Sequence, residues 1–579
     1  MSASGTAVDP ARLEVFRQLY QAAAEEMGEA LMRAGFSPNI KERRDFSCAI
    51  FDARGETISQ ADHLPVHLGS MPMSVKAALA AHHLRPGDMV MLNDPYAGGT
   101  HLPDVTLVAP IFAREIDERA SFYVANRAHH ADVGGIAPGS LSLARELFQE
   151  GIILPPVKIC HDGQVDEGLL AVFLRNVRTP HERRGDLLAQ IAANRIGARR
   201  VQEYVARYGL AEVTAYGRLL QDYAERVTRA LLREIGGPVT VRAVDYLDDD
   251  GLGTVDIPIV LTLAIADGGA TFDFTGTAPQ VQGSLNAVEA ITLSAVSYAL
   301  RLVVHEDIPT NAGSLRPITL IAPSGTLVNA RPPAAVAGGN VETSQRIVDV
   351  ALAALAQVLP GRVPAASQGT MNNVTFGPAD GAGFAYYETI GGGSGAGPSW
   401  DGASAIQVHM TNTLNTPIEA LERAAPVRIE RSAVRRGSGG AGRWRGGEGV
   451  VRAFHFLEAT EVSVLSERRR RGPYGLAGGT SGAPGKNTLQ ASPDAPSETL
   501  PGKFRRILPA GSTLTLATPG GGGWGSPSDG EGNRIGRSQR CGDGSLARQA
   551  TTQAPPLLPG HPGARSPISP SPVGEGVGG

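Results

Sequence analysis

The chain has 579 residues, 42% hydrophobic and 19% charged, with 53 Lys and Arg against 57 Asp and Glu, for a formal charge of −4. This is a globular composition, long enough for two or three subdomains with ample buried volume, and its charge balance argues against a dominant polyanion-binding surface while leaving room for a local basic patch. Cys48, Cys160 and Cys541 form neither a C-x-x-C pair nor a disulfide framework, which fits a reducing cytoplasm, while 72 Gly and 41 Pro are the unusual feature, marking either disorder or turns according to where they sit.

Asp9-Pro10 supplies an N-cap and an N1 proline, and Leu13, Phe16, Tyr20, Ala23, Met27, Ala30 and Leu31 recur at helical spacing up to Gly35, which predicts an amphipathic helix. From Ser47 to about Asn126, short apolar runs (Ala49-Ile-Phe, Met89-Val-Met-Leu, Val105-Thr-Leu-Val, Phe122-Tyr-Val-Ala) closed by Asp, Asn, Gly or Pro predict strands ending in polar loops. Helical spacing returns at Asp186, the expected N-cap, and holds to Tyr208; it resumes from Val213 to Ile235 and stops at Gly236-Gly-Pro238, giving a helical pair. Residues 239–275 then predict strands, residues 342–359 a helix, and residues 443–519 strands separated by glycine loops. Residues 526–579, with 11 Gly, 8 Pro and no aromatic residue, predict a disordered tail.

The expected fold class is α+β and multi-subdomain, with mixed β-sheets, glycine-rich loops, a helical pair and that disordered tail. Its expected divisions are an N-terminal α+β region over residues 1–240 carrying the site loops, a C-terminal α+β region over 241–525, and the tail over 526–579. The start lacks the regions of a signal peptide. The most apolar stretch, residues 257–266, contains Pro258 and is far shorter than the roughly 20 residues of a membrane span. A cytoplasmic protein with neither membrane nor nucleic-acid partner is expected.

The densest polar cluster is Asn93-Asp-Pro-Tyr-Ala-Gly-Gly-Thr-His101-Leu-Pro-Asp104, a strand-end loop presenting two carboxylates, Asp94 and Asp104, and an imidazole. A later strand ends in Asn126-Arg-Ala-His129-His130-Ala-Asp132-Val-Gly-Gly135. If the two strands are neighbours, these loops meet and offer a His/Asp/His set suited to a divalent cation such as Mn, Zn or Fe; the bland alternative is that His101, Asp104, His129, His130 and Asp132 only cap their loops. His67, in Pro65-Val-His-Leu-Gly-Ser-Met71, either lines the same site or is satisfied in the core. Gly338-Gly-Asn340-Val-Glu342 precedes a helix whose first amides can receive an anion, which makes Asn340 and Glu342 candidate substrate contacts. Glu388 opens the glycine loop Glu388-Thr-Ile-Gly-Gly-Gly-Ser-Gly-Ala396, where missing side chains allow close approach of a ligand or of another chain segment. Gly485-Lys486 is not a phosphate loop, because Thr480 and Asn487 stand where G-x-x-x-x-G-K-[ST] needs Gly and Ser or Thr, and no G-x-S-x-G nucleophile elbow is present.

Those strings, together with Gly339-Asn-Val-Glu-Thr-Ser344 and Asn412-Thr-Leu-Asn-Thr-Pro417 and in the order in which they occur, resemble the hydantoinase B family over roughly residues 10–525. The resemblance implies the B subunit of an ATP-dependent amidohydrolase that opens a cyclic amide (hydantoin, N-methylhydantoin or 5-oxoproline) within a hetero-oligomer. Its partner is then a hydantoinase A-type subunit of actin-like fold, which uses the ATP and phosphorylates the small-molecule substrate. A divalent metal (Mn, Zn or Fe) is implied at His101, Asp104 and His129, with Asp94, His130 or Asp132 moving protons and His67, Asn340, Glu342 and Glu388 contacting substrate. A subunit of an acetone- or acetophenone-carboxylase type of ketone carboxylase, and a non-catalytic scaffold for the A subunit, are the alternatives. Past Gly525 the chain departs from the family's acidic helical ending into Arg-, Gly-, Ser- and Pro-rich sequence.

Overall fold

In the computed structural model, which describes residues 9–61, 63–114, 117–304, 308–381 and 383–527, helix formation begins where the sequence predicts. Asp9 accepts the Ala11 N–H at 3.0 Å, Pro10 opens α1 (Pro10–Ala34), and Phe16, Tyr20, Ala23, Met27 and Leu31 are buried along one face. The tail expected to be disordered lies, from residue 528 onward, outside the described residues.

After α2 (Pro38–Lys41) come β1 (Phe46–Asp52), β2 (Thr57–Gln60), α3 (Met71–Ala81), β3 (Met89–Leu92), β4 (Asp104–Ile111), β5 (Phe122–His129), β6 (Val157–His161) and β7 (Gln164–Val165). The strands form one sheet in the order β2-β1-β5-β4-β3-β6-β7, with every neighbouring pair antiparallel. Cys48 and Ile50 of β1 join the cluster that includes Tyr20 and Met27 of α1, whereas Ala49 and Phe51 join Val75 and Ala78 of α3. Both faces are covered, so the strands read as unbroken apolar runs instead of an alternating pattern.

The helical pair follows α4 (Glu167–Arg175) as α5 (Pro180–Tyr208) and α6 (Leu210–Glu234), joined at Gly209. α5 starts at Pro180 and not at Asp186, because proline at the first helical position already opens it. Asp186 is buried within the helix, where it accepts the Phe36 and Ser37 N–H groups at 2.8 and 3.0 Å and pairs with Arg183 at 3.1 Å. It ties α5 to the start of α2.

A second sheet has the order β11-β10-β9-β8, from β8 (Val239–Asp249), β9 (Val255–Ala266), β10 (Gly269–Asp273) and β11 (Ile318–Ile321), and is mixed because β10 and β11 run parallel. α7 (Glu289–Val303) lies in sequence between its last two strands; α8 (Ser344–Val358) is the predicted later helix and is preceded by a π-helical turn, Gly339–Thr343. One hydrophobic cluster runs through all of these elements, from Phe16 to Leu465.

The rest of the described chain comprises β12 (Asn373–Pro378), β13 (Tyr386–Glu388), α9 (Ile418–Ala424), β14 (Val427–Arg435), β15 (Gly449–Phe456), β16 (Thr460–Leu465), β17 (Lys486–Gln490), β18 (Glu498–Leu500), β19 (Lys503–Leu508) and β20 (Thr513–Ala517). Two sheets, β13-β12-β16-β19 and β14-β15-β20-β17-β18, share a core that includes Phe376, Phe454, Phe456, Val464 and Leu514. The fold is α+β with several sheets, as expected.

The glycine-rich strings beside this core pack backbone against backbone. A Cβ on Gly393 would stand 1.9 Å from the Gly447 carbonyl oxygen, one on Gly447 1.9 Å from that of Ala403, and one on Gly521 1.9 Å from that of Ser394. The same strings exchange hydrogen bonds, Gly447 N to Ser394 O at 2.9 Å and Gly521 N to Gly447 O at 2.8 Å. The close approach that follows Glu388 is therefore made by other chain segments. Gly447→Ala is expected to lower unfolding free energy in urea titrations by at least about 3 kcal/mol. Gly361→Ala, whose Cβ would meet nothing within 4 Å, should stay within about 0.5 kcal/mol of the parent.

Candidate functional site

Antiparallel pairing of β4 with β5 sets Asp104, the first residue of one strand, opposite His129, the last of the other. The preceding loop is shaped around Asn93, whose side-chain amide donates to Leu102 O at 2.8 Å and Ile152 O at 3.0 Å and whose oxygen accepts from Leu154 N at 2.7 Å. Asp94 accepts the Tyr96 N–H at 2.9 Å and caps the short turn that follows. Gly98 then takes a φ of +94°, and a Cβ there would meet Met73 O of α3 at 2.8 Å. This backbone path returns His101 over Asp104.

His101 Nδ1 lies 3.2 Å from Asp104 Oδ2, His129 Nδ1 3.3 Å from Oδ1, and His67 Nε2 3.3 Å from Oδ2. Thr100 donates its hydroxyl to Oδ2 at 3.0 Å. One potential donor atom from each of His101, Asp104 and His129 falls within 4.8 Å of the other two, and all three side chains are buried. His101 Nδ1, for all its closeness to the carboxylate, makes no aligned hydrogen bond. A nitrogen and a carboxylate oxygen held close without a hydrogen bond fit a shared cation, and two imidazoles with one carboxylate are a donor set that Zn, Mn or Fe accepts.

The electrostatics agree. Burial opposes ionisation of Asp104, but the neighbouring His101, His129 and His67 hold its carboxyl well below the usual range. Burial pushes His67 and His129 below the ordinary imidazole value, favouring the neutral form that donates a lone pair. Asn340 approaches from the π-helical turn, its amide nitrogen 3.4 Å from His101 Nε2, and its own Oδ1 has no partner. A half-turn of that amide lets Oδ1 accept an Nε2 proton, which frees the Nδ1 lone pair for a cation.

Two further residues carry no motif signal. Asp45, just before β1, accepts the His129 N–H on its carbonyl at 3.0 Å and has a buried side chain whose carboxyl is raised by burial against the pull of His129 and Arg43. In sequence it belongs to the charged run Lys41-Glu-Arg-Arg-Asp45, which reads as a solvated loop. Tyr387 of β13 stacks on the His129 ring, with centroids 4.5 Å apart at 23°, and donates its hydroxyl to Asn373 Oδ1 at 3.1 Å.

The other predicted site residues fall as follows. Glu342 accepts from Met371 N at 3.0 Å and Asn373 Nδ2 at 2.7 Å through Oε1, while Oε2 is buried without a partner; burial pushes its pKa up to about 8. It reaches the site through the Asn373–Tyr387 link. Glu388, adjacent to Tyr387 and so on the opposite face of β13, pairs with Arg452 at 2.9 Å and accepts from Asn415 at 2.8 Å. His130 projects away from His129 beneath α5, its Nε2 2.9 Å from Gln190 Oε1. Asp132 pairs with Arg178 at 2.9 Å and accepts from Gly134 N at 3.0 Å. The structure thus gathers His67, His101, Asp104, His129 and Asn340, sets Glu342 behind them, and directs Asp94, His130, Asp132 and Glu388 to other partners. Among the described residues no helix is long and apolar enough to cross a membrane.

The hydantoinase B/oxoprolinase family model matches residues 9–527. Over 535 residues the chain is 44% identical to the uncharacterised protein MJ0963 of Methanocaldococcus jannaschii, covering 91% of this chain and 92% of the relative. It is 42% identical to 5-oxoprolinase 1 of Arabidopsis thaliana, covering 90% of this chain but spanning only 42% of that protein's length. The putative D-/L-hydantoinase B subunit of a Pseudomonas species is 33% identical, over 91% of this chain and 92% of its own. The solved structure of the ATP-dependent caprolactamase from Pseudomonas jessenii superposes with a TM-score of 0.83 at 29% identity, over 90% of this chain and 92% of that one.

The loop leading to Asn340 is held by a second buried acid. Glu150 Oε1 accepts the Val336 and Ala337 N–H groups, both at 2.9 Å, and burial pushes this carboxyl up to about 8. The folded state therefore keeps a proton on Glu150 that the unfolded chain, titrating near 4.5, has lost, and this residue's contribution to stability falls as pH rises from about 4.5 to about 8. Glu150→Gln keeps the acceptor and removes the titration. In melting curves from pH 5 to pH 9, the variant's Tm relative to the parent should climb with pH; a constant difference would show that Glu150 does not titrate in this window.

Proposed function

This chain belongs to the hydantoinase B/oxoprolinase family, and we propose that it is the B-type subunit of an ATP-dependent amidohydrolase that opens a cyclic amide activated by an A-type ATPase partner. The observation that carries the reading is the buried His101–Asp104–His129 set, with its short contacts and the unpaired His101 Nδ1. The relatives named as a hydantoinase B subunit and an ATP-dependent caprolactamase, both matched over nine-tenths of their length, support it.

An amide carbonyl is a weak electrophile, so attack by water calls for prior activation and for stabilisation of the charge that builds up. His101, Asp104 and His129 would hold a divalent metal whose positive charge supplies that stabilisation and lowers the pKa of water. Asn340 fixes the His101 ring, and Tyr387 fixes that of His129. Glu342, its carboxyl pushed up to about 8 by burial, braces the site from behind through Asn373 and Tyr387. Burial of the whole set excludes bulk water and strengthens each of these interactions.

The test is reconstitution with an A-type ATPase and ATP against 5-oxoproline, hydantoin, N-methylhydantoin and caprolactam. ATP-dependent ring opening is expected for at least one of them, and His101→Ala and Asp104→Asn should each lower kcat more than about a hundredfold while leaving the melting transition cooperative. Full turnover in both variants would remove this site from the reaction, and ATP-independent ring opening would remove the activation step.

A further inference from the structure

Phe148 is 68% exposed, the most of any large hydrophobic side chain among the described residues. It stands on the single turn Leu147–Gln149, which is bonded on both sides. Leu147 N donates to Pro333 O at 2.8 Å, Glu146 and Ala334 form an antiparallel bridge, and Ile136 N donates to Gln149 O at 2.9 Å. This pairing gathers Phe148, Ile136, Pro332 and Pro333, all exposed, into one apolar patch. A lone exposed hydrophobic residue is ordinary, but a contiguous group around an aromatic ring marks an interaction surface.

The charges around the patch are one-sided. Arg145 and Arg331 are exposed, and neither pairs with a carboxylate among the described residues, although Arg331 Nε donates to Ser324 Oγ at 2.9 Å. Residues 145–149 and 331–335 meet antiparallel through the Glu146–Ala334 bridge, so the two guanidinium groups fall toward opposite ends of the strip. Half-buried Glu146 is the one acid in these two segments. An aromatic anchor flanked by unneutralised arginines has the composition of an interface hot spot, and it is complementary to an apolar pocket rimmed by carboxylates.

The strip also leads to the buried site. Past Pro333 the same segment gives its Val336 and Ala337 N–H groups to Glu150, one residue beyond the Phe148 turn, and Asn340 N donates to Val336 O at 3.2 Å. Asn340 then meets His101. Building on the reading of this chain as a B-type subunit, we propose that its A-type ATPase partner docks on this strip, taking Phe148 into an apolar pocket rimmed by carboxylates. Docking there stiffens residues 333–340 and so steadies Asn340 against His101.

Docking can be read without turnover, by biolayer interferometry of the full chain against the A-type ATPase subunit used for reconstitution. Saturable binding is expected for the parent, and Phe148→Ser should weaken it at least about tenfold. Reversing both charges, Arg145→Glu with Arg331→Glu, should weaken it at least about tenfold and flatten its dependence on salt. Ile507→Ser, which removes a 63%-exposed side chain of β19, should bind as the parent does. Phe148→Ser should melt as the parent does, because its ring packs little within the fold. In the complex, amide hydrogen exchange should slow over residues 144–150 and 333–340. Parental affinity in Phe148→Ser or in the double reversal, an equal loss in Ile507→Ser, or unchanged exchange over residues 333–340 would each overturn this surface and leave the B-subunit reading standing. No complex with the parent chain would overturn both.

Discussion

Asp104 is ionised inside the protein at 1% exposure, and much of the surrounding structure is arranged by that one buried charge. Removing a carboxylate from water costs several kcal/mol unless neighbours compensate. Three imidazoles and the Thr100 hydroxyl surround it at 3.0 to 3.3 Å. Further out, the buried Arg127 guanidinium is bound, among the described residues, by the hydroxyls of Ser70 and Ser74 at 2.6 Å and Thr106 at 2.8 Å, and Asp104 is the charge that favours its ionised state. Those same bonds lock α3 to β4 and β5. The N-terminal sheet and the site are in this sense one construction.

The second half of the chain covers the cluster without supplying any of the three central donors. Asn340 arrives on a π-helical turn, whose extra residue per turn displaces it from the register of α8. Tyr387 arrives on a short strand, and its hydroxyl is tethered through Asn373 to Glu342. Such placement from distant segments demands a stiff base. The interleaved glycine strings provide one, since backbones that touch at distances no Cβ permits have little room to slide.

Much of this was legible in the residues, and the boundary is instructive. His101, Asp104 and His129 stood out because Gly, Pro and Asn bend the chain at both strand ends and leave polar groups at those bends. Local pattern alone did not separate His129 from His130, which only the family resemblance told apart, because successive strand residues face opposite ways and the register with β4 decides which one meets Asp104. Asp132, expected to move protons, pairs with Arg178 and accepts an amide of its own turn; Asp186, the expected cap, binds amides across the fold. Asp45 and Tyr387 were invisible for the converse reason: their roles come from tertiary contacts and not from local pattern. The glycines were conspicuous, yet whether a ligand or another backbone approaches them depends on which strings pair at long range.

Asp104 and its two histidines are proposed as a cation site and not merely a buried hydrogen-bonded cluster. X-ray absorption at the metal edge of the purified full chain, loaded with one equivalent of Mn or Zn, addresses it directly. A stoichiometric ion is expected, with nitrogen and oxygen in its nearest shell and the outer-ring scattering of two imidazoles beyond it, and that imidazole scattering should fall by about half in His129→Ala. A chain that takes up no stoichiometric metal, or an ion surrounded by oxygen alone, would contradict it.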